Sequence, residues 1–138
     1  MPETTVPELK YVPNLVHTEK GLLRSISLGE VLGFLVQRFY WIDAVPPGAS
    51  RGGHAHRNLK QGLIALRGSV TITLKTPRAV LPFELRSPDQ VLMVPPGYWR
   101  EMDSFSEDAL LGVFASHNYD ETDYIREWAN YVKEFSSK

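Results

Sequence analysis

Short apolar-rich runs of strand character recur along this chain, and glycine or proline breaks the pattern at short intervals. Val70-Thr71-Ile72-Thr73-Leu74 shows it best, with apolar and hydroxyl side chains taking turns as a half-buried strand requires. LVHTEKGLLRSIS reads as a hairpin turning at Glu19-Lys20-Gly21. VQRFYWIDAV, rich in aromatic and branched residues, is a strand stopped by PPGAS. GLIALRGSVTITLK holds two strands about a turn at Arg67-Gly68-Ser69, and VLPFELRS, QVLMVPP and ALLGVFAS supply three more. Only the tail changes period. Tyr124, Ile125, Trp128, Tyr131, Val132 and Phe135 recur at three- and four-residue steps, which predicts one amphipathic helix over residues 120–136 with Asp120 or Thr122 as its cap. Evenly spaced short strands with one terminal helix predict an all-β fold, a jelly-roll barrel or sandwich forming a single domain over residues 1–138.

The chain's 138 residues suit one domain with a real core. A net charge of −1 gives no bulk attraction to nucleic acid or anionic membrane, so any basic groups that matter are few and local. Cysteine is absent, which removes disulfide and thiol chemistry and fits a reducing cytoplasm. The opening MPETTVPELKYVPN lacks the apolar core of a signal peptide, and no apolar run approaches the ~20 residues of a membrane span. The expectation is a soluble cytoplasmic protein with no nucleic-acid or membrane partner.

Candidate chemistry gathers in RGGHAHRNLKQGLIALRGS. Residues two apart on a strand share a face, so His54 and His56 project together. An isolated His-x-His is as often structural as functional. Here the spacing from the pair to Gln61 and Gly68 resembles the first motif of cupin barrels, and Pro95-Pro96-Gly97-Tyr98-Trp99-Arg100 resembles the second. Metal-binding cupins use both histidines, an acid at the position of Gln61 and a histidine at the position of Arg100. A neutral amide is a poor ligand and a guanidinium is none, so the pocket is expected to hold no metal and need no cofactor. Paired imidazoles without a metal can still move protons, at ~10²–10⁴-fold in rate for positioned groups. Removal of a proton beside a carbonyl needs a donor or cation at the developing oxyanion, for which Arg51, Arg100 and Tyr40 are candidates. Arginine forks also suit a phosphate group.

A closer resemblance covers RFYWIDAVPPGASRGGHAHRNLKQGLIALRGS, VPPGYWREMDSFSEDALLGVFAS and YDETDYIREW. These blocks are similar to sugar-nucleotide 3,4-ketoisomerases, metal-free cupins of the WxcM-like group related to deoxysugar epimerases. The resemblance implies an isomerase that moves a keto group between C4 and C3 of a thymidine-diphosphate-linked 4-keto-6-deoxyhexose through an enediol. It implies catalytic roles for His54, His56 and Tyr40, with Arg51, Gln61, Arg100, Trp41 and Arg38 binding substrate. Trp41 and Asp43 stand where the family often carries tyrosines, which points to an altered sugar preference or to a different reaction on a related substrate. The family also forms homodimers in which an N-terminal strand crosses to the neighbour, and the proline-punctuated leader over residues 1–20 is placed to be that arm.

Other readings compete. A related epimerase would invert neighbouring centres and keep the ketone at C4, and a binding cupin would hold the sugar nucleotide without turnover. A metallocupin oxygenase is opposed by Gln61 and Arg100. His17 and His117 lack partners in sequence and read as structural or surface residues. Trp99 reads as core or pocket wall. Glu101 and Asp103 either orient a histidine or are solvated loop charges.

Overall fold

Two five-stranded antiparallel sheets share one apolar core in the computed structural model, which describes residues 5–12 and 15–137. The first sheet runs β1 (Glu8–Tyr11), β9 (Gln90–Val94), β6 (Gln61–Arg67), β11 (Leu110–Ala115), β4 (Arg38–Ile42). The second runs β12 (Tyr124–Ile125), β5 (Arg51–His56), β10 (Trp99–Asp103), β7 (Val70–Thr76), β8 (Ala79–Leu85). A separate hairpin pairs β2 (Leu15–Thr18) with β3 (Gly21–Arg24), turning where the sequence predicts. Two short helices, α1 (Leu28–Leu32) and α2 (Trp128–Glu134), complete the order. The all-β class and the two-sheet arrangement of a jelly roll are as expected.

The core follows from the alternation. Val70, Ile72 and Leu74 of β7 point inward and meet Leu63 and Ala65 of β6, Leu92 and Val94 of β9, and Leu111 and Val113 of β11. β6 is buried on both faces over Gln61–Ala65. On its outer side Ile64 packs with Leu32, Val91 and Met93, so α1 covers this sheet. Gly62 makes that possible, since a Cβ there would run into the Leu32 side chain.

The tail departs from expectation. No single helix fills residues 120–136. Glu121–Asp123 forms a 3₁₀ turn, Tyr124 and Ile125 pair as a strand with His56 and Ala55, and α2 begins at Trp128. The edge of β5 offers unpaired backbone groups, and Tyr124–Ile125 satisfies them while burying Ile125. Their helical spacing relative to α2 is coincidental. Asp120 does cap, but it caps the 3₁₀ turn, accepting from the Thr122 backbone N–H at 3.0 Å. α2 packs outside the second sheet: Trp128 and Tyr131 lie 5.4 and 5.7 Å from Trp99, and the Tyr131 hydroxyl donates to the Gly97 carbonyl at 2.8 Å.

The leader supplies an edge strand. β1 pairs antiparallel with β9 at the edge of the first sheet. Of the prolines that punctuate the leader, Pro2 and Pro13 lie outside the described residues.

Candidate active site

His54 and His56 are brought together as the strand spacing requires. Their rings sit edge to face with centroids 4.9 Å apart, His56 buried and His54 half-buried. Opposite His54 on β10 stands Arg100, its Cα partner in the sheet register and one of the most deeply buried side chains in the molecule. Gly52 permits this approach. Its φ is +90°, and a Cβ built there would lie 2.8 Å from the Arg100 carbonyl oxygen.

A chain of hydrogen bonds runs from Arg100 through Gln61 to Tyr40. The guanidinium donates to the Tyr98 carbonyl at 2.9 Å and, through Nη1, to Gln61 Oε1. Gln61 Nε2 in turn donates to the Tyr40 hydroxyl at 3.0 Å. The cation fixes which end of the amide faces it, so the amide N–H₂ must face the phenol. The Tyr40 oxygen therefore accepts from Gln61, which leaves its own proton available to another acceptor. A glutamate at position 61 would offer no such donor. Arg38 completes this wall, its guanidinium 5.1 Å from the Tyr40 ring centroid.

The electrostatics keep both imidazoles neutral. Burial, then the nearby Arg100 cation, pushes His54 down to about 4. The same two causes in the same order, with His54 added, push His56 down to about 2. Asp123 Oδ2 lies 3.2 Å from His56 Nδ1, but burial and the cation outweigh it and leave His56 a neutral ring. Burial lowers Arg100 to about 10, and it stays cationic at neutral pH. Burial raises Tyr40, which stays a phenol. Among the described residues, the buried side-chain nitrogens without a protein partner are Arg38 Nε, His54 Nδ1, His56 Nε2 and Arg100 Nε. All four belong to this one set of residues, as expected of a pocket built to meet a polar ligand.

Two expected binding residues stand elsewhere. Trp41 is 59% exposed and sits on the outer face of β4 with Phe39, because it is adjacent to Tyr40 and a strand alternates its faces. Arg51 is exposed at the start of β5 and takes no part in the hydrogen-bonded set. An irregularity in the β5–β10 register pairs Arg51 with Met102, a core residue, so the extra residue returns Arg51 to the histidine side of the sheet at its rim. Glu101 does not reach the histidines. It accepts from the Trp99 indole at 3.0 Å and pairs with Lys75 on the outer face, while Asp103 bonds Ser104 at the surface. Trp99 is core beneath α2, not pocket wall. His17 lies exposed on β2, as the sequence suggests.

The structure adds residues that the sequence reading passed over. Asp123 takes the orienting position. The Tyr124 ring packs 4.3 Å from His56 and 4.9 Å from His54. A cavity of about 160 Å³ adjoins them, lined by Arg38, His56, Asn58, Asp123, Tyr124 and the exposed His117, whose Nδ1 lies 2.7 Å from the Ser116 hydroxyl. The Arg126 guanidinium stacks 4.2 Å over Tyr124 and pairs with Glu121 at the rim. No group of three or more His, Cys, Asp or Glu among the described residues is arranged to hold a metal ion.

Comparison with known proteins fits this geometry. A family model described as "FdtA: WxcM-like, C-terminal" matches residues 4–136. A TDP-4-oxo-6-deoxy-alpha-D-glucose-3,4-oxoisomerase of Aneurinibacillus thermoaerophilus is 39% identical over 114 residues, covering 83% of this chain and 82% of the relative. The crystal structure of QdtA, a sugar 3,4-ketoisomerase from Thermoanaerobacterium thermosaccharolyticum in complex with TDP, superposes with a TM-score of 0.90 at 38% identity, covering 95% of each chain. A histidine-to-asparagine mutant of the same enzyme in complex with TDP-4-keto-6-deoxyglucose gives a TM-score of 0.91 at 36% identity, covering 99% of this chain and 98% of that one.

Proposed function

This chain belongs to the FdtA family (WxcM-like, C-terminal), and we propose that it is a 3,4-ketoisomerase acting on a TDP-linked 4-keto-6-deoxyhexose in deoxysugar biosynthesis. The observation that carries the reading is the pocket itself. Two neutral imidazoles with bare buried nitrogens stand beside a buried cation and a phenol that accepts from Gln61 and keeps its own proton to donate.

The reaction needs only proton movement. A neutral imidazole, His54 or His56, takes the proton from C3 while the C4 carbonyl becomes an enediolate oxygen. Arg100 and Tyr40 supply the positive charge and the donor that such an oxygen requires in a buried site. The proton on the C3 hydroxyl passes to the C4 oxygen, the proton held by the imidazole is returned at C4, and the carbonyl re-forms at C3. Atoms and electrons balance with no external oxidant. Gln61 acts by holding Arg100 and Tyr40 in register. Arg51 at the rim is a fitting contact for the diphosphate.

Assembly and location belong to the same reading. The β2–β3 hairpin is exposed throughout, with Leu15, Val16, Leu22 and Leu23 between 48% and 60% accessible. An isolated two-stranded hairpin is marginal in water, so it is best accounted for by docking on a second copy in a homodimer. No helix among the described residues is long and apolar enough to cross a membrane. A cysteine-free chain that uses a nucleotide-linked sugar fits the cytoplasm.

The test is incubation with TDP-4-keto-6-deoxyglucose and proton NMR of the sugar, in light and heavy water. A 3-keto product supports the reading. A 4-keto product with inverted neighbours makes the protein an epimerase. Absence of turnover, with TDP still raising the melting temperature, makes it a binding protein.

A further inference from the structure

The residue that sets the chemistry of His56 comes from outside both cupin motifs. We propose that Asp123 is a positioning residue that holds His56 in the tautomer protonated on Nδ1, so that Nε2 faces the pocket as a lone-pair acceptor. This inference rests on the ketoisomerase reading of the pocket.

Three observations carry it. First, Asp123 Oδ2 lies 3.2 Å from His56 Nδ1. An ionised carboxylate accepts and never donates, so the imidazole proton belongs on Nδ1. Second, the carboxylate is not free to turn away. Its Oδ1 accepts from the Asn58 backbone N–H at 2.7 Å and its Oδ2 from the Leu59 N–H at 3.2 Å, both from the loop that follows the histidine strand. Third, the segment that carries Asp123 is fastened to the same loop. The Arg57 N–H donates to the Asp123 carbonyl at 3.0 Å, and the Arg57 guanidinium donates to the carbonyls of Thr122 at 2.9 Å and Tyr124 at 3.3 Å. The next residue, Tyr124, pairs with His56 itself. Every degree of freedom that could let the carboxylate drift from the ring is thus pinned to the chain around His56. At the far end of the ring, Nε2 is buried and has no protein partner.

The tautomer matters because an imidazole protonated on Nε2 would present a donor to the pocket and could not take a proton there. Asp123→Asn reverses the arrangement. Its amide N–H₂ in the Oδ2 position donates to Nδ1 and drives the imidazole proton to Nε2. That group also faces the Leu59 N–H, so some stability is lost as well.

The experiment is nitrogen-15 NMR of histidine-labelled protein without substrate, with steady-state kinetics alongside. In the wild type, His56 should show a protonated Nδ1 and a bare Nε2. In Asp123→Asn it should show the opposite tautomer, with kcat down by ~10²–10⁴-fold and KM changed by no more than a few-fold. Asp123→Ser keeps an acceptor for the Asn58 N–H. It should give a mixed tautomer and an intermediate kcat, which separates positioning from simple loss of fold. The proposal is overturned if wild-type His56 carries its proton on Nε2, or if a folded Asp123→Asn keeps wild-type kcat. If instead the wild type has no isomerase activity while the tautomer is as stated, the functional reading fails and the positioning geometry stands. Should both variants unfold, the wild-type tautomer alone decides.

Discussion

Lowering the pH from 7 to 5 should destabilise this protein through two residues, and the size of the effect follows from the pocket. An unfolded histidine titrates near 6.5, whereas His54 and His56 are held at about 4 and about 2 in the fold. Between those values the unfolded chain binds protons that the folded chain refuses, so stability is lost as pH falls below about 6.5. The loss at pH 5 hardly depends on how far each folded value lies below 5. It is set by the ~1.5 units between 5 and the unfolded value, or about 2 kcal/mol for each histidine. His54 is only half-buried and its share is reduced by solvent, so the pair together should contribute about 3 kcal/mol. Urea unfolding at pH 7 and pH 5 measures this directly as a shift of the midpoint at constant slope. The double variant His54→Asn, His56→Asn should lose most of the pH dependence, whatever its absolute stability. Parallel pH dependence in wild type and double variant would refute the argument. So would the opposite slope from His56 alone, which would mean an imidazolium ion-paired to Asp123.

Gln61→Glu should separate stability from chemistry. The new carboxylate pairs well with Arg100, so the melting temperature should hold or rise, but Tyr40 must then donate to residue 61 and kcat should fall at least ~10-fold. Gln61→Leu leaves the buried guanidinium and the phenol without a partner and should cost about 2–4 kcal/mol in urea unfolding. Gly52→Ala meets both an unfavourable φ and the Arg100 carbonyl, and should lose about 2 kcal/mol or more, with kcat reduced as His54 and Arg100 are pushed apart. Leu22→Ser with Leu23→Ser should convert a dimer into a monomer by sedimentation, while a monomeric wild type would remove the docking role of the hairpin.

Much of the fold was legible because strands advertise themselves by period. The Val70–Thr76 alternation is reproduced residue for residue, and the turns at Glu19–Gly21 and Arg67–Ser69 fall where glycine demands them. The histidine pair, Gln61, Arg100 and Tyr40 converge for the same reason: each occupies an inward position on a regular strand. Trp41 was misplaced although the alternation itself argued against it, since neighbours on a strand cannot both face inward. Arg51 needed knowledge of a register shift that no local pattern announces. Asp123 and Tyr124 were hidden for a different reason. A two-residue strand has no periodicity to read, and its aromatic residue lies at helical spacing from α2. α1 is five residues long, too short to show a face.

The strand that closes over the imidazoles is also the last of the described strands, and this has a consequence for synthesis. As the polypeptide leaves the ribosome, both sheets can assemble almost completely before Asp123 and Tyr124 emerge. Until then the histidine strand is an unfinished sheet edge. The nascent protein can therefore be folded in nearly every respect before the carboxylate and the ring that pack against His56 are in place.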